Sequence, residues 1–477
     1  MRPEYFVLFA AYLVLLLAVG LVFARRMKSA EDFFLAGRRL SGGLICVSLT
    51  ASWFGATSIL VSTDEAFVGG VSAIWIVGVP AVATVAILAV LFAARFHRLP
   101  VLTWSDLVEL RYGRLVRHLA SGLLVWYMAM LAASQMSALG LFLRNFLDIP
   151  YGRALGAGTA VVLIYAALGG LRSVIWTDFL QFVLLLAGVL ALFFWVSGQS
   201  SLALAATRAA EAGKSGYFNL FHDFGKNALM ALSFTLAWTI SPIAFQRIRA
   251  ARSVAAARRG LGGTAAMLLG LYVLVVGIGI LSFPLFPGRI AGAGGTPLVA
   301  EIAGGRAGFA LGGLVFVAVL AAILSTMDTA VNAGALVLNR DVIEQIHPKA
   351  KNRPVVWGRT ATVLIAAAAF LVALKFRNIL KTIGLSSEIL AEGFFIPGVA
   401  MLFLKSKRPA AGLLGVIGGG GFAVLSFLEA SDVISWGLPA WPYSVPLGLL
   451  FGAAGFVLGT LIDRKRSRAV VRAGRFR

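Results

Sequence analysis

The stretch 319–341, VLAAILSTMDTAVNAGALVLNRD, places hydroxyls and a carboxyl inside an apolar run. On a helix, the Ala322 carbonyl lies beneath Ser325 and Thr326, which follow three and four residues later. Asp328 follows Ser325 by three residues and shares that flank. Oxygen ligands suit a hard cation, and a carboxyl at membrane depth indicates a functional site. Such hydroxyls also bond to carbonyls one turn earlier in many buried helices, so the stretch alone leaves both interpretations open.

The composition predicts a polytopic membrane protein. The chain has 477 residues, 60% of them hydrophobic and 13% charged, with a mean hydropathy of +0.91. Soluble proteins carry about a quarter charged residues, so this chain lies far outside their range. The net charge of +22 is spread between apolar runs instead of forming one basic face, which argues against a nucleic-acid partner. The single cysteine, Cys46, excludes an internal disulfide.

Apolar runs long enough to cross a bilayer, roughly 20 residues each, recur about thirteen times. The expected fold class is therefore an all-α polytopic membrane protein with about 13 transmembrane helices. The predicted spans are 4–24, 43–67, 71–96, 119–145, 151–170, 174–197, 227–247, 260–284, 307–337, 355–375, 380–404, 409–428 and 440–463.

Lysine and arginine are concentrated in alternate loops. The richer set of loops holds Arg25, Arg38, Arg98, Arg247 and the basic tail 464–477. Cytoplasmic loops carry the excess of basic residues in membrane proteins. This asymmetry predicts a cell (inner) membrane protein with an extracytoplasmic N-terminus and a cytoplasmic C-terminus. The tail is expected to be solvated or to contact lipid headgroups of the bilayer.

Signatures of other protein classes are missing from the sequence. It contains no Walker A pattern, no H-E-x-x-H and no C-x-x-C. ATP-driven pumping and metalloenzyme chemistry therefore lack their usual support. The four histidines all fall in predicted loops. We expect that the chain is not an enzyme.

Two predicted spans are interrupted near their middle. The second carries TASWFGAT at 50–57, and the seventh carries WTISP at 238–242. Pro242 removes one backbone hydrogen bond and disturbs the preceding turn. In lipid, such breaks are tolerated where the freed peptide groups face protein, water or a ligand. They lie five spans apart, as expected of two inverted five-helix repeats, although two ordinary kinks would give the same pattern.

Four motifs stand out along the chain: EDFFLAGR at 31–38, YAALGGLRS at 165–173 with the following WTD at 176–178 and Gln181, FQR at 245–247, and AILSTMD at 322–328. They resemble motifs of the sodium/solute symporter family, whose members couple sodium entry to uptake of sugars, amino acids, carboxylates, vitamins or choline. The motifs appear in the family's order, and the resemblance extends over residues 31 to about 410.

The resemblance implies a LeuT-like core of ten helices at 43–404. Its two inverted repeats would occupy 43–197 and 227–404. An extra helix and a cytoplasmic linker would precede the core at 1–42. Two extra helices and the basic cytoplasmic tail would follow it at 405–477.

The resemblance also implies a sodium site, with Na+ as the coupling ion. By matching positions, the site would use the carbonyls of Ala51 and Phe54 in the broken second span. The Ala322 carbonyl and the hydroxyls of Ser325 and Thr326 would complete it. Its Ala322, Ser325 and Thr326 members agree with those inferred above from helical spacing, whereas Ala51 and Phe54 are implied by the resemblance alone.

Asp178 matches an acidic position that some family members use for a second cation, and Asp328 would be its partner. Asp178 is equally typical of a helix cap, because it follows a glycine turn. If the two carboxyls approach each other, either a cation lies between them or one of them is protonated, because two bare carboxylates repel.

The solute pocket is expected between the two breaks. No lysine or arginine sits clearly at that depth, so a carboxylate substrate would need helix amides or sodium itself. Trp53, with Asp64 and Glu65 nearby, is similar to the choline-transporting branch, although packing is an equally good explanation for Trp53. Glu388 and Glu392 share one helix face and are also consistent with stabilising neighbouring helices or lining the outer vestibule. The candidate residues are Ser52, Trp53, Thr57, Tyr127, Gln135, Trp238, Ser241, Glu388 and Glu392.

The function expected from the residues and the resemblance together is a sodium-coupled symporter that imports a small organic solute by alternating access. The alternatives are a solute sensor that uses the same fold and a proton-coupled transporter. Partners would be the solute, sodium and the lipid bilayer. The sequence does not identify the solute, the sodium stoichiometry or the oligomeric state.

Overall fold

The computed structural model describes residues 3–24, 34–289, 296–404 and 406–474. Within these ranges the regular elements are helical, apart from one isolated bridge between Leu40 and Ala251. The all-α prediction is therefore confirmed. Of the motif at 31–38, the first three residues lie outside the described part of the chain, as do the side chains at 165–170.

The first half of the chain forms eleven named helices. They are α1 (Pro3–Ala24), α2 (Gly42–Trp53), α3 (Ser62–Gly69), α4 (Gly78–Ile87), α5 (Ala93–Arg98), α6 (Trp104–Tyr112), α7 (Arg114–Leu147), α8 (Tyr151–Gln199), α9 (Leu202–Glu211), α10 (Phe224–Thr239) and α11 (Pro242–Ala250). π-Helical turns Thr57–Val61 and Leu88–Phe92 precede α3 and α5, and a 3₁₀ turn Gly70–Trp75 follows α3.

The second half of the chain forms nine more. They are α12 (Val254–Ser282), α13 (Leu298–Glu301), α14 (Gly308–Val337), α15 (Glu344–Ile346), α16 (Pro354–Lys375), α17 (Ile379–Leu390), α18 (Ile396–Ala400), α19 (Pro409–Ala430) and α20 (Val445–Gly474). π-Helical turns Leu338–Ile343 and Ala391–Phe395 continue α14 and α17.

In the described part of the chain, nine helices are long and apolar enough to cross a membrane, or ten when the bent pair α10 and α11 counts as one. The predicted number of thirteen is not confirmed; within the described residues, three further apolar helices are shorter: Pro3–Val19, Gly42–Trp53 and Tyr151–Ile164. The spans predicted at 151–170 and 174–197 both lie in α8, whose 49 residues show no non-helical interruption. At about 1.5 Å per residue, α8 is more than twice the length that one crossing needs.

The centre of the molecule is α14. Every residue from 318 to 337 is buried, so this helix is enclosed on all sides. It packs against α7, α8, α2 and α16. The hydroxyls and carboxyl of the central sequence stretch therefore lie in the interior of the bundle, and not toward lipid.

Ion pairs fasten the helices at two places away from the centre. Arg117 on α7 contacts Asp106 at 3.1 Å and Asp341 at 3.2 Å, and it also pairs with Glu109. Thr103 donates a hydrogen bond to Asp341 at 2.8 Å. We call this set the Arg117 cluster; it joins α6, α7 and the end of α14.

A second cluster lies on α3 itself. Arg289 contacts Asp64 at 2.8 Å and Glu301 at 2.9 Å, and its guanidinium lies 5.1 Å from the centre of the Phe67 ring. The Leu298 amide also donates to Asp64, at 2.9 Å. This Arg289 cluster joins α3 to the segment around α13.

Candidate functional site

The first broken helix ends at Trp53 and resumes in the π-helical turn Thr57–Val61. Phe54 has the non-helical φ and ψ of −98° and 64°. Across the break, the Ala56 amide donates to the Gln135 side-chain oxygen on α7 at 2.9 Å. A Cβ on Gly55 would lie 2.7 Å from that same oxygen. Gln135 therefore satisfies a freed peptide group, and the glycine permits the close approach.

Four of the five predicted sodium ligands lie together between α2 and α14. The Ser325 hydroxyl is 2.9 Å from the Ala51 carbonyl oxygen and 3.1 Å from that of Ala322. The Thr326 hydroxyl is 3.2 Å from the Ala322 carbonyl oxygen. The fifth, Phe54, lies in the break itself. Hydroxyl groups can turn their lone pairs toward a cation, so this set supplies only hard oxygen ligands.

A buried charge cluster lies beside this group. Asp178 on α8 accepts hydrogen bonds from Ser48 at 2.5 Å and Ser52 at 3.3 Å. The Arg247 guanidinium on α11 lies 3.6 Å from Asp178. Arg247 also donates to Ser52 at 3.2 Å and to Thr329 at 2.8 Å. The cluster thus links α2, α8, α11 and α14, and both charged side chains are fully buried.

Three sequence interpretations need correction at this cluster. Arg247 was counted with the loop residues, yet its side chain is 0% exposed. The helix restarts at Pro242 after the second break, so Arg247 falls inside the bundle on the second turn of α11. The expectation that no basic residue lies at this depth is therefore wrong. Asp178 is not a helix cap either, because α8 continues for more than five turns on both sides.

Asp328 is also fully buried, one turn beyond Ser325 on α14. The next residue along α14, Thr329, accepts the hydrogen bond from Arg247 at 2.8 Å. Two carboxylates and one guanidinium thus share this region. When all three are ionised, their sum is one negative charge.

The second break lies between α10 and α11, which meet at an angle of 42°. The Ser241 hydroxyl accepts a hydrogen bond from the Ile243 amide at 3.3 Å and caps α11, and Pro242 occupies the first position of that helix. Proline is favoured there, because the first helical amides have no partner within the helix. This local chemistry explains why the break falls at the predicted place.

A small cavity of about 40 Å³ lies between the two breaks. Seven of the nine candidate solute residues line it: Ser52, Trp53, Thr57, Tyr127, Gln135, Trp238 and Ser241. Sequence reasoning missed the other wall residues as solute contacts: Gly55, Ser58, Val77, Leu131, Ile243, Thr326 and Ile383.

Some of those missed residues carried a signal in the sequence. Ser58 adjoins the first break and shares a hydrogen bond of 2.7 Å with Tyr272. Thr326 had been assigned to sodium alone, yet it also faces the cavity. Val77, Leu131 and Ile383 come from apolar stretches without any polar marker, so only the packing of the helices identifies them.

Glu388 and Glu392 do not reach the cavity, although they were candidates for it. The α17 residue that lines the cavity is Ile383. Glu388 follows Ile383 by five residues, which is a rotation of about 140° around the helix axis. Glu388 therefore points away from the cavity. Glu388 instead contacts Ser426 on α19 at 2.7 Å. Glu388 and Glu392 therefore contact neighbouring helices, which was the alternative interpretation of these two residues.

Aromatic rings form one wall of the cavity. The Trp53 and Trp238 ring centres are 6.1 Å apart. Trp238 stacks on Phe234 at 5.0 Å, and Phe234 packs against Trp441 at 5.6 Å. The choline-like arrangement of Trp53 with Asp64 is not formed, because Asp64 pairs with Arg289 instead.

The comparisons with known proteins agree on one family. The model of the sodium:solute symporter family matches residues 33–419. The chain is 26% identical over 469 residues to the sodium/glucose cotransporter of Vibrio parahaemolyticus, covering 89% of this chain and 85% of the relative. It is 25% identical over 462 residues to the human sodium-coupled monocarboxylate transporter 1, covering 88% and 72%.

Among solved structures, the chain resembles a Na+-coupled sialic acid symporter in a substrate-bound outward-open state. The TM-score is 0.81 at 21% sequence identity, and the match covers 96% of this chain and 97% of that chain. At this level of identity the likeness concerns the fold. It extends over nearly all of both chains.

Proposed function

We infer that the groups between the two breaks bind sodium and a solute, because this chain belongs to the sodium:solute symporter family. The chain is a sodium-coupled symporter of a small organic solute, and not an enzyme. It is a multi-pass membrane protein with the fold of a Na+-coupled symporter. Neither the solute sensor nor the proton-coupled transporter receives support from its relatives.

The sodium site we propose consists of the Ala51, Phe54 and Ala322 carbonyls and the Ser325 and Thr326 hydroxyls. The observation that supports it most directly is the contact of 2.9 Å between Ser325 on α14 and the Ala51 carbonyl at the end of α2. Sodium bound there would join the broken helix to the central helix. Coupling then means that sodium favours one arrangement of these helices over the other.

The same proposal includes alternating access by a ten-helix core at 43–404, with repeats 43–197 and 227–404. The terminal regions 1–42 and 405–477 would lie outside that core. Two broken helices facing one central cavity support this division. Solute bound between the breaks would contact both repeats, so it would favour their closure around it.

A second cation is proposed beside Asp178 and Asp328. Both residues are fully buried, and two bare carboxylates in one buried region repel each other. A monovalent cation or a proton would reduce this repulsion. Loss of this cation would leave the sodium site formed by Ser325 and Thr326 in place.

For the solute, we propose an uncharged polar molecule with an apolar face. Within the described part of the chain, no charged side chain lines the cavity. An ionic solute would therefore lose hydration without gaining a counter-charge from a side chain, and only an anion could use bound sodium instead. Trp53 and Trp238 offer ring faces, while Thr57, Gln135 and Ser241 offer hydrogen-bonding groups. The sugar named for the Vibrio relative has this chemistry, whereas a monocarboxylate does not.

The test is thermal unfolding of the purified protein with neutral, anionic and cationic solutes, each in sodium and in potassium at equal ionic strength. A ligand that binds the folded state raises the melting temperature. We expect a shift with neutral polar solutes, larger in sodium. Ser325→Ala combined with Thr326→Ala should remove the sodium effect.

Ser282→Ala is the matched control, because its buried hydroxyl bonds only to the Ile278 carbonyl on its own helix, at 2.7 Å. It should retain the sodium effect. If a solute raises the melting temperature equally in sodium and in potassium, the proposed sodium site is overturned. A shift with ionic solutes alone would overturn the solute class but leave the sodium site standing.

We also propose that the protein lies in the cell (inner) membrane, with its N-terminus outside and its C-terminus in the cytoplasm. The alternation of basic loops supports this orientation. The Arg117 cluster would then lie on the cytoplasmic side and the Arg289 cluster on the outer side. The basic end of α20 would meet lipid headgroups of the bilayer.

A further inference from the structure

Two carboxyl groups lie within the apolar segment Ile379–Ala400, far from the solute cavity wall. Glu388 is on α17, and Glu392 is in the π-helical turn Ala391–Phe395. Both residues are 0% exposed. Intramembrane acids of this kind are rare and usually functional, and π-helical turns recur at functional sites.

Most of the oxygens of this pair have no protein partner. One Glu388 oxygen accepts a hydrogen bond from Ser426 at 2.7 Å. The other Glu388 oxygen and both Glu392 oxygens accept none. The fully buried Ser444 hydroxyl faces Glu388 and likewise lacks a partner at hydrogen-bonding distance. These unsatisfied oxygens are available to bind a cation or a proton.

Among the residues that the structure describes, no basic side chain pairs with Glu388 or Glu392. The pair is packed against α7, α10, α19 and α20, and in the described part of these helices the polar groups that face it are Ser426 and Ser444. Charged side chains on the same helices are engaged elsewhere. Glu429 accepts hydrogen bonds from the Trp436 and Gly437 amides. Asp463 accepts hydrogen bonds from the Ala410 and Ala411 amides. Lys226 interacts with Glu65, and Arg117 belongs to its own cluster.

Glycines bring the neighbouring backbones against Glu392. A Cβ added to Gly452 on α20 would lie 2.9 Å from the Glu392 carbonyl oxygen. A Cβ on Gly448 would overlap the Glu392 carboxyl group, and one on Gly419 would overlap its carbonyl. The packing leaves little room for a metal ion with five or six oxygen ligands. A proton requires no such space.

We propose that Glu388 and Glu392 form a proton-binding site that holds α17 against α19 and α20. Two bare carboxylates in a dry interface would repel each other and lack hydration. The proton binds to a carboxylate oxygen and leaves it again as a hydrated proton, without any redox change. Because α17 also carries Ile383 in the cavity wall, loss of the proton would displace part of that wall.

The sign of the pH effect follows from this placement. The packed arrangement binds the proton, and a separated arrangement exposes the carboxylates to water. Packing is therefore favoured at low pH and lost as the pH rises. Sodium-driven uptake into proteoliposomes should fall at alkaline pH in the wild type. Glu392→Gln, which resembles the protonated acid, should lose this alkaline decrease.

Glu429→Gln is the matched control, because Glu429 lies at the end of α19 outside the pair. It should keep the wild-type pH profile. If Glu392→Gln also keeps that profile, the proposal is overturned. The increase in melting temperature caused by sodium does not involve this pair, so it should persist in Glu392→Gln. This measurement distinguishes failure of the proton-site proposal from failure of the sodium site.

A second measurement uses the wild-type protein, so its result does not depend on whether a variant folds. An apolar carbodiimide reacts with protonated carboxyls in membranes, and peptide mass spectrometry locates the adduct. We expect modification at Glu388 or Glu392 at neutral pH, and its loss at alkaline pH. Modification that is absent at all pH values, or that does not change with pH, would overturn the proposal.

Discussion

At the scale of single residues, Gly55 shows how tightly the site is built. It lies in the first break, between the Gln135 amide group and Thr326, and both of these side chains also line the cavity. A side chain here would displace a group that caps the break and a proposed sodium ligand together. A glycine in such a break is required by the close approach of its neighbours, not by a left-handed backbone.

Gly55→Ala is expected to reduce sodium-driven uptake at least tenfold and to raise the sodium concentration needed for half-maximal uptake. The added methyl would lie 2.7 Å from the Gln135 oxygen, and such overpacking costs about 1–3 kcal/mol. Gly43→Ala on α2 is the control, because no atom lies within 4 Å of its added Cβ. Equal sodium dependence of the two variants would contradict the placement of the sodium site.

Arg247→Met is expected to destabilise the protein by about 3–5 kcal/mol, because Asp178 would remain buried without its cation. Asp178→Asn in the same chain should recover part of this loss, since the unpaired carboxylate is then gone. Thermal unfolding in detergent measures both. If the double variant is no more stable than Arg247→Met alone, Arg247 does not balance Asp178.

At the scale of helices, the Arg117 cluster fastens short α6 to α7 and to the end of α14. Arg117 itself is 5% exposed and contacts three carboxylates from two segments. A neighbouring arginine, Arg114, contacts only Glu109 and its side chain is 86% exposed. The two arginines therefore have different roles despite lying three residues apart.

Arg117→Leu is expected to destabilise the protein by about 3 kcal/mol, since Asp341 would be left buried and unpaired. Arg114→Leu should leave the melting temperature nearly unchanged, because exposed ion pairs contribute little. Limited proteolysis adds a local measurement: cleavage within α6 should increase in the first variant alone. Equal melting temperatures would show that the cluster does not hold these helices together.

The sequence allows some of these elements to be predicted and not others. The second break is predictable, because Pro242 and the capping Ser241 act locally. The continuity of α8 is not, because glycines at 169 and 170 are as compatible with a turn as with a helix. The burial of Arg247 is also not predictable, because the sequence around a loop arginine and around a buried arginine is similar until the position of the break is known.

At the scale of the whole molecule, the fold follows from apolar runs, two breaks and four motifs. What these features do not reveal is which face of each helix meets the cavity. Glu388 on α17 and Glu392 in the following π-helical turn both meet α19 and α20 and not the cavity. Ile383, which does line the cavity, has no chemical mark in the sequence.

The proposed orientation can be tested with single cysteines in a Cys46→Ser background. Phe221→Cys and Ile346→Cys lie on opposite proposed sides, and the native side chains are 61% and 79% exposed. A membrane-impermeant maleimide added to intact cells should label Phe221→Cys alone, and both after the membrane is opened. Labelling of Ile346→Cys alone in intact cells would reverse the orientation.

The contacts of α12 affect how fast the halves of the first broken helix can move. α12 packs against both α2 and α3. Gly260 lies beside Ile45 and Gly42 of α2, and Gly279 lies beside the Thr63 carbonyl of α3. These glycines let α12 approach both halves of the broken helix closely, so few bulky side chains oppose sliding along it. The activation barrier of reorientation should then reside in the ion pairs of Arg117 and Arg289. Because these pairs are largely buried, salt screens them little, and turnover should change little with ionic strength.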